Sequence, residues 1–172
     1  MENCGIDAAT EVNIKGGTFN IKTTGSSSDS SSKGIKGDSK IVITGGNINI
    51  DATDDGIHSN GDIAIKGGKI TVTSGDDGIN AGNKSNNYKV TIEITGGVIN
   101  VNMGQGDTDG IDSNGNLIIT GGTISVNANS PFDYDGQLTF TGGKVIINGT
   151  ETKTITNQQM GGGGMGGRRG RW

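Results

Sequence analysis

The sequence predicts an all-β chain wound into a parallel β-helix of about six rungs, with a disordered glycine-rich C-terminal tail. Three observations lead there. A Gly-Gly pair recurs six times, at 16/17, 45/46, 67/68, 96/97, 121/122 and 142/143. The apolar residues on either side of each pair alternate with period two, as in a half-buried strand. No segment carries the spacing of a helix of ordinary length. The pairs are 29, 22, 29, 25 and 21 residues apart, which describes a unit of about 21–22 residues with loops added, the signature of a solenoid.

Each unit supplies its elements in a fixed order. Ten residues before the first glycine of the pair stands a large apolar residue: Ile6, Ile35, Ile57, Ile111 and Phe132. In the fourth unit it is Ile79, seventeen residues before its pair, because residues 83–89 are inserted. This residue marks a short strand. A second strand follows, with apolar pairs such as Ile41/Ile43, Ile63/Ile65 and Leu117/Ile119, and a third after the glycines, as in Ile48/Ile50, Ile70/Val72 and Ile124/Val126. Glycine lets the chain turn sharply between them, since without a Cβ it accepts positive φ. Three strands and three corners make one triangular rung. Five buried Ile or Val positions per rung, at roughly 1.5–3 kcal/mol each, offset the ordering of so many flexible residues.

The first rung begins at Gly5-Ile6 with no cap written before it, so we expect N-terminal rungs to be missing. The expected domain spans residues 1–158. Residues 22–33 hold a serine-rich corner insertion, and residues 102–109 enlarge the same corner three rungs later. After Ile147, Thr150 to Thr156 adds a half-rung over the C-terminal end. The tail, 159–172, is glycine, methionine and arginine with nothing to bury. It holds all three arginines, so the body sets 11 lysines against 18 acidic residues and carries about −7, a poor nucleic-acid binder. No apolar run reaches membrane-spanning length. Cys4 is the only cysteine, which leaves no intrachain disulfide.

The chemistry lies in the aspartates. If the rungs align as written, Asp55, Asp77 and Asp109 stack in one column, with Asp54 and Asp76 beside them and Asp107 in the same loop as Asp109. Just past the core residue, a second column holds Asp7, Lys36, His58, Asn80, Asp112 and Asp133. Carboxylates one rung apart, about 4.8 Å, repel by roughly 3 kcal/mol at an effective dielectric near 20. A hard cation answers that repulsion, and Ca²⁺ takes 6–8 oxygen ligands. The expected metal ligands are therefore Asp54, Asp55, Asp76, Asp77, Asp107 and Asp109. The plainer alternative is that Asp-Asp-Gly simply makes good solvated turns. His58, the only histidine, reads as a solvated or rung-stacked residue rather than a catalytic base, because no nucleophile–base pair is written. Clustered carboxylates also suit glycoside hydrolysis, and spacing alone does not separate that from metal binding.

Asp-Asp-Gly-Ile at 54–57 and 76–79, Gly-Asp-Thr-Asp-Gly-Ile-Asp-Ser-Asn-Gly at 106–115, Phe-Asp-Tyr-Asp-Gly at 132–136 and the Gly/Met-rich tail carry a resemblance. The chain resembles a bacterial family of secreted carbohydrate-binding proteins whose right-handed parallel β-helix is similar to that of pectate lyases. The resemblance implies calcium sites, an extracellular or cell-surface location, and binding of acidic or plant cell-wall polysaccharide without catalysis. On this reading Lys36, His58, Asn80 and Asp112 contact carbohydrate. Lyase chemistry of the pectate type uses a basic residue, typically arginine, and this body has none. A calcium-dependent binding module for polyuronate is thus the leading expectation. A structural β-solenoid that self-associates end to end, and a polysaccharide lyase or glycoside hydrolase, are the alternatives. A threonine column, Thr44, Thr95, Thr120 and Thr141, suggests an ice-binding face as a third alternative, but Lys15 and Lys66 interrupt it.

Overall fold

The computed structural model describes residues 4–25, 32–82, 90–104 and 108–158. The chain winds through six rungs. The first comprises β1 (Ile6–Ala8), β2 (Glu11–Ile14) and β3 (Thr18–Lys22); the second β4 (Ile35–Gly37), β5 (Lys40–Ile43) and β6 (Asn47–Ala52). The third is β7 (Ile57–Ser59), β8 (Asp62–Ile65) and β9 (Lys69–Ser74), and the fourth β10 (Ile79–Ala81), β11 (Thr91–Ile94) and β12 (Val98–Met103). In the fifth, β13 (Asp109–Ser113) leads into β14 (Asn116–Asn127), and in the sixth β15 (Ser130–Tyr134) leads into β16 (Leu138–Ile147). A last strand, β17 (Thr150–Thr152), ends the series.

Like strands stack on like. The first face is a six-stranded parallel sheet, β1-β4-β7-β10-β13-β15. The second stacks β2, β5, β8, β11 and the start of β14, and the third β3, β6, β9, β12 and the end of β14. Ile35, Ile57, Ile79 and Ile111 are register partners, as are Ile41 with Ile63 and Ile48 with Ile70. These side chains alternate inward and are fully buried in the middle rungs. The core is therefore aliphatic ladders on three walls, with Phe132 the one fully buried aromatic among the described residues.

The Gly-Gly corner works as the sequence implies. The second glycine has positive φ in all six rungs, 98° at Gly17 and 86° at Gly143, and the corners stack so closely that a Cβ on Gly68 would lie 3.1 Å from the Gly45 carbonyl carbon. In the last two rungs the corner does not interrupt the strand. β14 and β16 run through it with register shifts around Thr120, so two of the expected strand pairs are single bent strands.

The C-terminal end differs from a half-rung. Asn148 (φ 48°) and Gly149 (φ 81°) reverse the chain, and β17 pairs antiparallel with the end of β16, Ile147 opposite Thr150. Ile155 then folds onto the core, and residues 157–158 close the edge of β15. The tail, 159–172, lies outside the described residues, as do the centres of the insertions at 26–31, 83–89 and 105–107. Among the described residues no helix is long and apolar enough to cross a membrane.

Candidate functional site

The first face carries the acidic chemistry. Its strands are short, and in the first five rungs the core residue follows a corner glycine that has no room for a side chain: a Cβ on Gly56 would sit 2.2 Å from Val72 Cγ1. In the sixth rung Pro131 takes that position. The residue before the glycine is Lys33, Asp55, Asp77 and Asp109 in the second to fifth rungs. Backbone bonds from Gly34 to Asp55, from Gly56 to Asp77 and from Gly78 to Asp109, each 2.9 Å, stack these residues directly. The column reads Lys33, Asp55, Asp77, Asp109.

Two features relieve the repulsion that the sequence suggests. Two of the three carboxylates accept a backbone N–H from the next rung, Asp55 Oδ1 from Asp77 and Asp77 Oδ1 from Asp109, both at 3.1 Å. Lys33 heads the column as an internal counter-ion. Its ammonium donates to Asp54 at 2.9 Å and Asp55 at 2.5 Å, and all three side chains are at least nine-tenths buried. Burial works against the charged ammonium, but the attraction and hydrogen bonds of Asp55 and Asp54 outweigh it and raise the Lys33 pKa. Burial likewise pushes Asp55 upward, yet His58 and Lys33 together hold its carboxyl below the usual range. His58 Nδ1 lies 2.8 Å from Asp55 Oδ2, in ion-pair range though off the line of a hydrogen bond, and its Nε2 meets Asn60 Oδ1 at 3.0 Å.

Beyond Lys33 the balance reverses. Burial first, then the nearby Asp55, raises Asp77 to about 7. Asp112 is raised to about 8 by burial and by Asp77 and Asp109. Asp76 and Asp133 are raised in the same way, by burial and then by neighbouring carboxylates. Asn80 stands between two of the acids, its amide donating to Asp77 and, at 3.2 Å, to Asp112.

The second expected column is present in register: Asp7, Lys36, His58, Asn80, Asp112 and Asp133 are successive partners on the outward side of the first face. Thus Lys36, His58, Asn80 and Asp112 form one uninterrupted row across four rungs. A third row flanks it, with Asn60 Nδ2 on Asp38 at 2.8 Å and Asn114 Nδ2 on Asp135 at 3.4 Å. Sequence reasoning did not single out that row. Its signal was there, because Asp38, Asn60, Asn114 and Asp135 each follow the core residue by three positions.

For a cation, the residues that come together are Asp54, Asp55 and Asp76, each offering an oxygen within 4.8 Å of the others. The donors are all hard oxygens and so suit calcium by type. Lys33 already satisfies part of that charge at Asp54 and Asp55, whereas Asp76 is exposed. Asp77 and Asp109 continue the column toward the C-terminus; Asp107 lies outside the described residues. A cavity of about 300 Å³ beneath the C-terminal hairpin, lined by threonines with Pro131, Ile147 and Gln158, carries no titratable group and adds nothing to this chemistry.

A parallel β-solenoid with one long, polar, acid-rich face is the class that fold and site define. The family model for carbohydrate-binding domain-containing proteins matches residues 2–78 and 63–161, and the chain belongs to that family. No curated protein and no solved structure matches it.

Proposed function

We propose that the chain is a non-catalytic carbohydrate-binding module that holds acidic polysaccharide on its first face with the help of calcium. Family membership supports carbohydrate as the ligand. The observation that carries the site is the unbroken row Lys36, His58, Asn80, Asp112, in register beside the aspartate corner. A polymer lying along the solenoid axis meets the same backbone every ~4.8 Å, with a different polar side chain at each step. Lys36 and His58 face the polymer's carboxylates, while Asn80 and Asp112 take its hydroxyls by hydrogen bonding.

The face is too acidic to hold a polyuronate by itself. Asp54, Asp55, Asp76, Asp77 and Asp109 would hold calcium, which when bound supplies positive charge shared between protein and sugar carboxylates. The raised carboxyls of Asp77 and Asp112 support a cation at this end, because they are the acids that the lysines leave uncompensated. The body has no arginine, and its most buried lysine is committed to two aspartates, which supports binding rather than proton abstraction. We also propose an extracellular or cell-surface location, where a polysaccharide of this kind is met.

Paired calorimetry tests the reading. Asp76→Asn with Asp77→Asn should lower calcium affinity by about tenfold or more, the scale of one lost charge-assisted contact, and polyuronate affinity should fall with it. Lys36→Ala should weaken polyuronate but leave calcium binding as it was. Polyuronate affinity unchanged in both variants would move the glycan to another face.

A further inference from the structure

The row that flanks the first face is built from two side-chain pairs with a gap between them. Backbone bonds stack its positions rung by rung: Asn60 N–H on Gly37 O, Gly82 N–H on Ser59 O, Asn114 N–H on Ala81 O and Asp135 N–H on Ser113 O. Each position follows its core residue by three, so the row reads Asp38, Asn60, Gly82, Asn114, Asp135. The amide of Asn60 turns toward the second rung to meet Asp38, and that of Asn114 turns toward the sixth to meet Asp135. Both side chains thus lie along the solenoid axis and lead away from the fourth rung. There, position 82 contributes no side chain.

Folding does not demand that glycine. The glycines that precede the core residues are crowded: a Cβ would meet another atom at 2.4 Å on Gly34, 2.2 Å on Gly56 and 2.3 Å on Gly110. The second glycine of each Gly-Gly corner has positive φ. Gly82 is under neither constraint. Its φ lies outside the left-handed region, and a Cβ there would meet its nearest neighbours at 3.4 Å, an ordinary contact. Those neighbours are His58 Cε1 and Asn80 Oδ1, from the two middle residues of the row Lys36, His58, Asn80, Asp112. A side chain at 82 would therefore point across that row. The amides beside it are spent on Asp38 and Asp135, so nothing would draw it along the axis as they are drawn. Only 13% of the His58 side chain is exposed, and a few added atoms suffice to cover it.

We propose that Gly82 is a specificity-determining residue: its missing side chain opens the flanking row, and an acidic polysaccharide makes its closest approach to the backbone there. Glycine marks places where a ligand must come close to the main chain. Asn60 and Asn114 stand two rungs apart, about 10 Å, so the gap admits the edge of one sugar unit of a chain lying along the axis. The inference rests on the polysaccharide reading above and names the point that sets how near the polymer can lie.

The test is a size series without charge: Gly82→Ala, Gly82→Asn and Gly82→Gln, each titrated calorimetrically with polygalacturonate in calcium. The Gly82→Ala protein should bind within about twofold of the parent, because a Cβ fits, whereas Gly82→Asn and Gly82→Gln should each cost about tenfold or more. Melting temperature and calcium affinity should hold at their parent values throughout, which a structural role for the glycine would not allow. Ala9→Gln puts the longest of these side chains at the matching position three rungs earlier, and that protein should bind as the parent does. A flat series in a parent that binds would overturn the proposal and leave the polysaccharide reading standing. So would a loss that Gly82→Ala produces in full, that follows a falling melt, or that Ala9→Gln reproduces. A parent that does not bind polygalacturonate overturns the polysaccharide reading itself, and this inference with it.

Discussion

At the scale of single residues, Lys33 decides how the aspartate column tolerates itself. Its ammonium is the buried partner of both Asp54 and Asp55. Lys33→Met keeps most of the packing but strands two buried carboxylates, and removing one partner of such a pair costs about 3–5 kcal/mol. We expect a correspondingly lower melting temperature, with part of the loss recovered in calcium, which would take over the vacated charge. An unchanged melt would show that the ion pair contributes nothing. Glycine 78 is as demanding for a different reason. A Cβ there would lie 2.4 Å from both Gly110 O and Val101 Cγ1, so Gly78→Ala must push two rungs apart and should destabilise by about 1–3 kcal/mol. Position 33 shows the limit of sequence reading at this scale. The ten-residue offset places Lys33 above Asp55, but it does not reveal that the corner is buried enough to make the lysine an ion-pair partner.

At the scale of elements, the strands were legible because period-two alternation and the Gly-Gly corners specify the same register. Ile57, Ile79 and Ile111 come together as that register requires, and so do His58, Asn80 and Asp112. The C-terminal cap was misread although its signal was present: Asn148-Gly149 is a dipeptide that favours tight hairpins, and it reverses the chain where a half-rung was expected. The acidic corner before β10 and the acidic strand β13 have a consequence of their own. Asp77 and Asp112 are raised to about 7 and about 8, so between pH 4 and 8 the folded chain holds protons that the unfolded chain has released. Stability therefore falls as pH rises through that window. In chelator, the melting temperature should fall by several degrees from pH 5 to pH 8. Calcium at constant ionic strength should flatten the profile. A melting temperature that rises with pH in chelator would contradict the assigned crowding of carboxylates.

At the scale of the whole molecule, the solenoid converts a repeat in sequence into rows of chemistry. Three walls of aliphatic ladders fix the spacing, and the outward side of one wall carries a lysine, a histidine, an asparagine and three aspartates in line. The proposed role is binding without cleavage, and it has a direct test. Purified protein incubated with polygalacturonate should release neither unsaturated products nor new reducing ends, and either one would make it an enzyme. The most direct test of the central claim is calorimetric titration of polygalacturonate into the protein, once in calcium and once in chelator at the same ionic strength. We predict saturable binding in calcium that is lost in chelator and weakened by Lys36→Ala. Equal affinity in the two buffers, or no binding in calcium, would contradict it.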